Sequence, residues 1–109
     1  MTVTAEEKNG RLRLKLAGEL DHHAAGTLMR QIEDRLDRFL PRDCVVDMGG
    51  VSFMDSSGIA VLMKTYRRMN ELDGRIWVEN APAQSLRVLE AAGIDRLIGI
   101  RGENRMGGT

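Results

Sequence analysis

Residues 44–63, CVVDMGGVSFMDSSGIAVLM, change pattern twice in a short span. Cys44 to Met48 is an apolar run interrupted only by Asp47, the pattern of a strand buried on both faces. Gly49 to Ser57 (GGVSFMDSS) then reads as a loop. From Ile59 the apolar residues recur at helical spacing, through Leu62, Met63, Tyr66 and Met69, until Asp73-Gly74 closes the segment. A buried strand passing through a loop into an amphipathic helix is half of a βαβ unit. It predicts an α/β fold with a parallel sheet.

The flanks extend that pattern. In RLRLKLAG (11–18), Leu12, Leu14 and Leu16 alternate with Arg11, Arg13 and Lys15, which predicts a half-buried strand. Asn9-Gly10 before it is a hairpin turn signal, and Val3 and Ala5 fit a preceding antiparallel strand. From Ala24 the period changes: Leu28, Ile32, Leu36 and Phe39 share one helical face, Met29 flanks them, and Leu40-Pro41 ends the helix. RIWVEN (75–80) reads as a strand. PAQSLRVLEAAG (82–93) reads as a helix with Pro82 in its first turn, Leu86 and Leu89 inward and Gly93 at its end. RLIGI (96–100) reads as a last short strand, and RGENRMGGT (101–109) as a flexible tail. The order is β-β-α-β-α-β-α-β in one domain spanning 1–109, with its core at about 3–100. The sheet is mixed and largely parallel, with an N-terminal hairpin.

Composition narrows the function classes. A chain of 109 residues can bury about 60–68% of the surface its unfolded form exposes, enough for a core without staples. Acidic and basic residues balance at 16 each, which argues against a nucleic-acid surface or a polybasic membrane patch. Phe39, Phe53, Tyr66 and Trp77 are the only aromatics, too few for a base-stacking platform. Cys44 is alone, so no internal disulfide forms and a reducing compartment is expected. The first ten residues lack the basic and apolar regions of a signal peptide, and no apolar run reaches the ~18–20 residues that span a bilayer. A cytoplasmic protein with no membrane partner is the expectation.

Two polar segments are candidates for function. In DSSG (55–58), Asp55 or Ser56 suits a helix N-cap, with Ser57 and Gly58 in the first turn; capping alone is worth about 0.5–2 kcal/mol. The same geometry offers free amides and a helix dipole to an anion, either a bound phosphate or one attached to serine. The segment lacks the lysine of a nucleotide P-loop. In ELDHHA (19–24), Asp21 suits an N-cap or a polar neighbour of the other loop. Adjacent His22 and His23 point about 100° apart on a helix and match no zinc spacing, so no metal is expected. A hydrolase would need Ser56 or Ser57 with His22 or His23 and an aspartate, but the G-x-S-x-G elbow is missing, and no enzyme is expected. Phe53 and Met54, just before the motif, are candidates for a partner-facing apolar surface, with core packing the alternative for Phe53.

GELDHHAAGTL, VVDMGGVSFMDSSGIAVLM and APAQSLRVLEAAGIDRLI together resemble the anti-sigma-factor antagonists of the STAS-domain family, in particular its sporulation branch. The likeness runs in order from about Val3 to Ile100. It implies a mixed sheet with helices packed mainly on one face, and a non-enzymatic partner switch. The unphosphorylated form would bind an anti-sigma factor that is itself a serine kinase carrying nucleotide, freeing the sigma factor for transcription. Phosphorylation of the serine after the Asp, Ser56 by position, would end binding, and a serine phosphatase would restore it. The resemblance implies a partner surface of Asp21, His22, Met54, Asp55, Ser56, Ser57 and Gly58, with no cofactor of its own. The alternative is a constitutive STAS binding module whose DSSG is only a cap. Family members commonly end in a further helix, whereas RGENRMGGT has no apolar stripe.

Overall fold

The computed structural model describes residues 1–102. Strands β1 (Thr2–Lys8) and β2 (Arg11–Leu20) form an antiparallel hairpin. Asn9 and Gly10 turn it with φ of 55° and 83°, the positive pair that suits the twist of a tight hairpin. Then follow α1 (His22–Phe39), β3 (Asp43–Met54), α2 (Ser56–Glu71), β4 (Arg75–Glu79), α3 (Ala83–Ala91), a 3-10 turn (Ile94–Arg96) and β5 (Gly99–Arg101). The sheet order is β1-β2-β3-β4-β5, with every pair after the hairpin parallel.

All three helices cover one face. Leu14 and Leu20 of β2, Val46 of β3, Leu28 of α1, Leu62 of α2 and Leu89 of α3 belong to one apolar cluster. Among the described residues the opposite face has no helix, yet Val45 is 0% and Trp77 5% exposed there. Arginines roof the indole: the guanidinium carbons of Arg11 and Arg101 lie 4.8 and 4.4 Å from the Trp77 ring centre. Their alkyl stems cover apolar surface while the charged heads stay wet. Cys44, in the same strand, is fully buried on the core side, and burial pushes its thiol up to about 12.

Six sequence expectations change. Residues 49–54 are not loop: β3 runs on to Met54. Its register against β2 shifts between Lys15 and Ala17 and again between Gly18 and Glu19. Each bulge inserts a residue, so the buried positions step from Met48 to Val51 to Met54 and lose the alternation of a regular strand. Gly50 sits where the strands crowd, since a Cβ there would lie 2.9 Å from the Leu16 carbonyl oxygen and the Ala17 Cβ. Phe39, assigned to the buried stripe of α1, is 38% exposed, because it lies in the last turn just before Leu40 takes φ 43° and ends the helix. Helix α1 begins at His22 rather than Ala24, and Leu86 is only half-buried. RLIGI is a strand only from Gly99, its first residue being in the 3-10 turn. Arg101 belongs to β5 and not to the tail; the rest of the expected tail beyond Gly102 lies outside the described residues.

Candidate functional site

Leu20 and Met54 are register partners at the ends of β2 and β3. The next residue of each strand, Asp21 and Asp55, leaves the sheet in extended conformation and caps the helix that follows. The two loops therefore stand side by side beyond the carboxyl ends of parallel strands, where α/β folds place their sites. The Asp55 amide donates to the Leu20 carbonyl at 3.3 Å. Gln84 of α3 fixes the other side of the strand end: its Nε2 donates to the Met54 carbonyl at 2.8 Å, and its Oε1 accepts from the Met54 amide at 2.9 Å. Gln84 thus substitutes for a missing strand neighbour. Nothing in the local pattern of APAQS distinguishes it as such.

Both caps are carboxylates. Asp21 Oδ1 accepts from the amides of His23 and Ala24 at 3.0 and 3.1 Å. The Ala24 amide, and after it the His23 amide and the nearby histidines, hold the Asp21 carboxyl below its ordinary range despite partial desolvation. Asp55 Oδ1 accepts from the Ser57 amide at 2.8 Å, and its carbonyl accepts from the Gly58 amide at 3.0 Å. The cap is therefore Asp55, and Ser56 is the first helical residue.

The candidate residues divide by exposure. Ser56 is exposed, and among the described residues its hydroxyl makes no hydrogen bond. Ser57 is half-buried at a groove of about 210 Å³ between α1 and α2, lined also by Ala25, Met29, Val61 and Lys64. Gly58 is buried, and a Cβ there would lie 2.9–3.0 Å from Met54 and Leu20 side-chain atoms. Met54, expected at the partner surface, is instead 0% exposed: the second bulge turns it into the core, where it seats the first turn of α2. Phe53, at 43% exposure, is the outward apolar residue. His22 and His23 are both exposed, but their rings do not diverge as a helical sweep implies. Their centres lie 4.0 Å apart at a tilt of 37°, and His23 Nδ1 is 3.9 Å from Asp21 Oδ2. Among the described residues, no three His, Cys, Asp or Glu side chains group to hold a metal ion, and no helix is long and apolar enough to cross a membrane.

Residues 3–99 match the family model described as "Mlab, STAS domain", and the chain belongs to the STAS-domain family. It is 28% identical over 100 residues to the anti-sigma F factor antagonist of Paenibacillus polymyxa, covering 92% of this chain and 86% of that one. The structure of the anti-sigma factor antagonist SpoIIAA in its unphosphorylated form superposes with a TM-score of 0.79 at 23% identity, over 99% of this chain and 98% of that one. The phosphorylated form of the Bacillus cell fate determinant SpoIIAA gives 0.71 at 23% identity, over 96% of each chain. At these identities the two structures establish the fold: one STAS α/β domain with a five-stranded mixed sheet.

Proposed function

We propose that this chain is an anti-sigma-factor antagonist whose unphosphorylated form binds an anti-sigma factor and releases the sigma factor, and that phosphorylation of Ser56 ends that binding. The observation that carries the reading is the division of labour at the motif. Asp55 does the capping, so the exposed Ser56 hydroxyl has no duty in the local structure. A constitutive module would need only the cap. A relative named as an antagonist of an anti-sigma factor, and a neighbour solved with and without phosphate, support the same reading.

The partner is an anti-sigma factor with serine kinase activity and its own ATP, acting in the cytoplasm. The Ser56 oxygen attacks the γ-phosphorus of that ATP. The new O–P bond forms as the bond to ADP breaks, and the hydroxyl proton passes to a base of the kinase. A serine phosphatase reverses the state by hydrolysis. This domain supplies the acceptor and the surface, and no catalysis.

The phosphate acts on binding and leaves the fold intact. It adds about −1.5 to −2 charges. Of the first three amides of α2, those of Ser57 and Gly58 are already engaged by Asp55, so the helix start offers little to neutralise it. Asp21 stays ionised beside the same strand ends. A partner surface fitted to a neutral hydroxyl then meets a concentrated negative patch. A like charge 4 Å away costs about 4 kcal/mol at an effective dielectric near 20, most of the ~5.5 kcal/mol that inverts a 1:99 equilibrium.

Intact-mass spectrometry after incubation with ATP and the host's candidate kinase tests the assignment. Wild type and Ser57→Ala are expected to gain one phosphate and Ser56→Ala none. Phosphate on Ser56→Ala, or no phosphate on folded wild type with a kinase active on another substrate, would refute it.

A further inference from the structure

The open face of the sheet carries a second feature, remote from Ser56. A cleft of about 460 Å³ lies at the hairpin end, lined by Lys8, Arg11, Arg13 and Arg42 with Glu6 and Asp43. Four cations thus face two carboxylates in a chain whose formal charge is zero. Both carboxylates are already committed. Asp43 accepts from Arg11 at 3.3 Å and from Arg75 at 3.1 Å, and Glu6 lies 3.6 Å from Lys15. Among the described residues, neither Lys8 nor Arg42 has a carboxylate within ion-pair distance; the Arg42 guanidinium donates to the Asn9 carbonyl at 3.1 Å. That bond fixes one guanidinium at the hairpin turn, at the rim of the cleft.

The geometry points to a binding site for a small ligand carrying two or more adjoining phosphates. Arg11 and Arg13 are alternate residues of one strand, so their stems leave the sheet about 7 Å apart. With Arg42 and Lys8 at the turn, the cations are spread over more than one phosphate group. Arginine forks bind phosphate oxygens two at a time, more strongly than they bind neutral acceptors. A single small anion would have to compete with Asp43 for Arg11 and with Asp47 and Glu79 for Arg13, which they hold at 3.1 and 2.9 Å. A chain of phosphates can engage the uncommitted Lys8 and Arg42 and share the others.

Strand β2 runs from Arg11 at the cleft to Leu20 beside the caps, a rise of about 30 Å, so a ligand here leaves the Ser56 surface untouched. The cleft also has a built-in reporter. Arg11 lies over the ring of Trp77, the only tryptophan, so drawing Arg11 toward a ligand alters the indole's surroundings.

The test is titration of the full chain with sodium pyrophosphate at constant ionic strength, read by Trp77 emission and by calorimetry. Saturable binding is expected, weakened at least about tenfold in Lys8→Gln/Arg42→Gln and tightened in Glu6→Gln. Sodium sulfate at the same ionic strength is expected to give no saturable change. Unchanged affinity in the folded double variant, sulfate binding as tightly as pyrophosphate, or no saturable binding up to about 10 mM would overturn the assignment.

Discussion

Ser56 and Ser57 are chemically identical neighbours separated by what holds them. Asp55 binds the Ser57 amide, and the Ser57 side chain borders the groove between α1 and α2, whereas Ser56 stands free in solvent. The sequence alone narrowed the cap to Asp55 or Ser56; one hydrogen bond decides it. The same scale explains why Met54 was misplaced: a residue's face depends on bulges upstream of it, and neither Phe53 nor Met54 carries a local sign of them. Asp43 offers a separate test at residue scale. Burial works to raise its carboxyl, but the hydrogen bonds of Arg75 and Arg11 and their charges win and hold it below its ordinary value. A depressed folded-state value stabilises the fold above the unfolded carboxyl's pKa of about 3.9, and that contribution is lost as pH falls through the folded value. Asp43→Asn is expected to cost about 1–2 kcal/mol at neutral pH in urea denaturation, discounted because both arginines are largely exposed. It is also expected to flatten the loss of stability below about pH 4. An unchanged midpoint and an unchanged acid limb would mean that the Asp43 pairs with Arg11 and Arg75 add nothing to stability.

Among the elements, β2 and α2 were the most legible, because each keeps one period from end to end. Leu12, Leu14 and Leu16 alternate without fault, and the stripe from Ile59 to Met69 stays on one side. Strand β3 keeps no single period: its core-side residues step by two as far as Met48 and by three afterwards, so its second half resembles a loop. Those bulges also bring Met54 level with Leu20 and set the two caps together. Gly50→Ala, whose Cβ would press on the backbone of β2, is expected to destabilise by about 1–3 kcal/mol. A thermal melt within error of wild type would show that β2 and β3 can part without cost. Gln84→Ala removes both bonds to the Met54 backbone and is expected to cost about 1–2 kcal/mol. With the strand end loosened, Ser56 phosphorylation should slow while its final stoichiometry stays at one. A normal rate in a folded Gln84→Ala variant would mean that α3 plays no part in positioning the motif.

Across the whole molecule, a single sheet keeps two surfaces apart. One face is sealed by three helices around an apolar cluster, and on the other, arginines lie over Trp77. The parallel order and the placement of DSSG beyond strand ends followed from alternating strand and helix patterns. The burial beneath the open face did not, because arginine at alternate strand positions looks the same whether it points into water or lies over an indole. Since the caps are at one end of β2 and the basic cleft at the other, a charge added at Ser56 should change binding and not folding. The direct measurement is the affinity of the unmodified and the stoichiometrically Ser56-phosphorylated protein for the same anti-sigma kinase at physiological salt, by calorimetry, with thermal melts of both forms alongside. A loss of about a hundredfold or more, equivalent to roughly 2.7 kcal/mol, is expected, with both forms equally folded. Equal affinity of the two forms would contradict the switch.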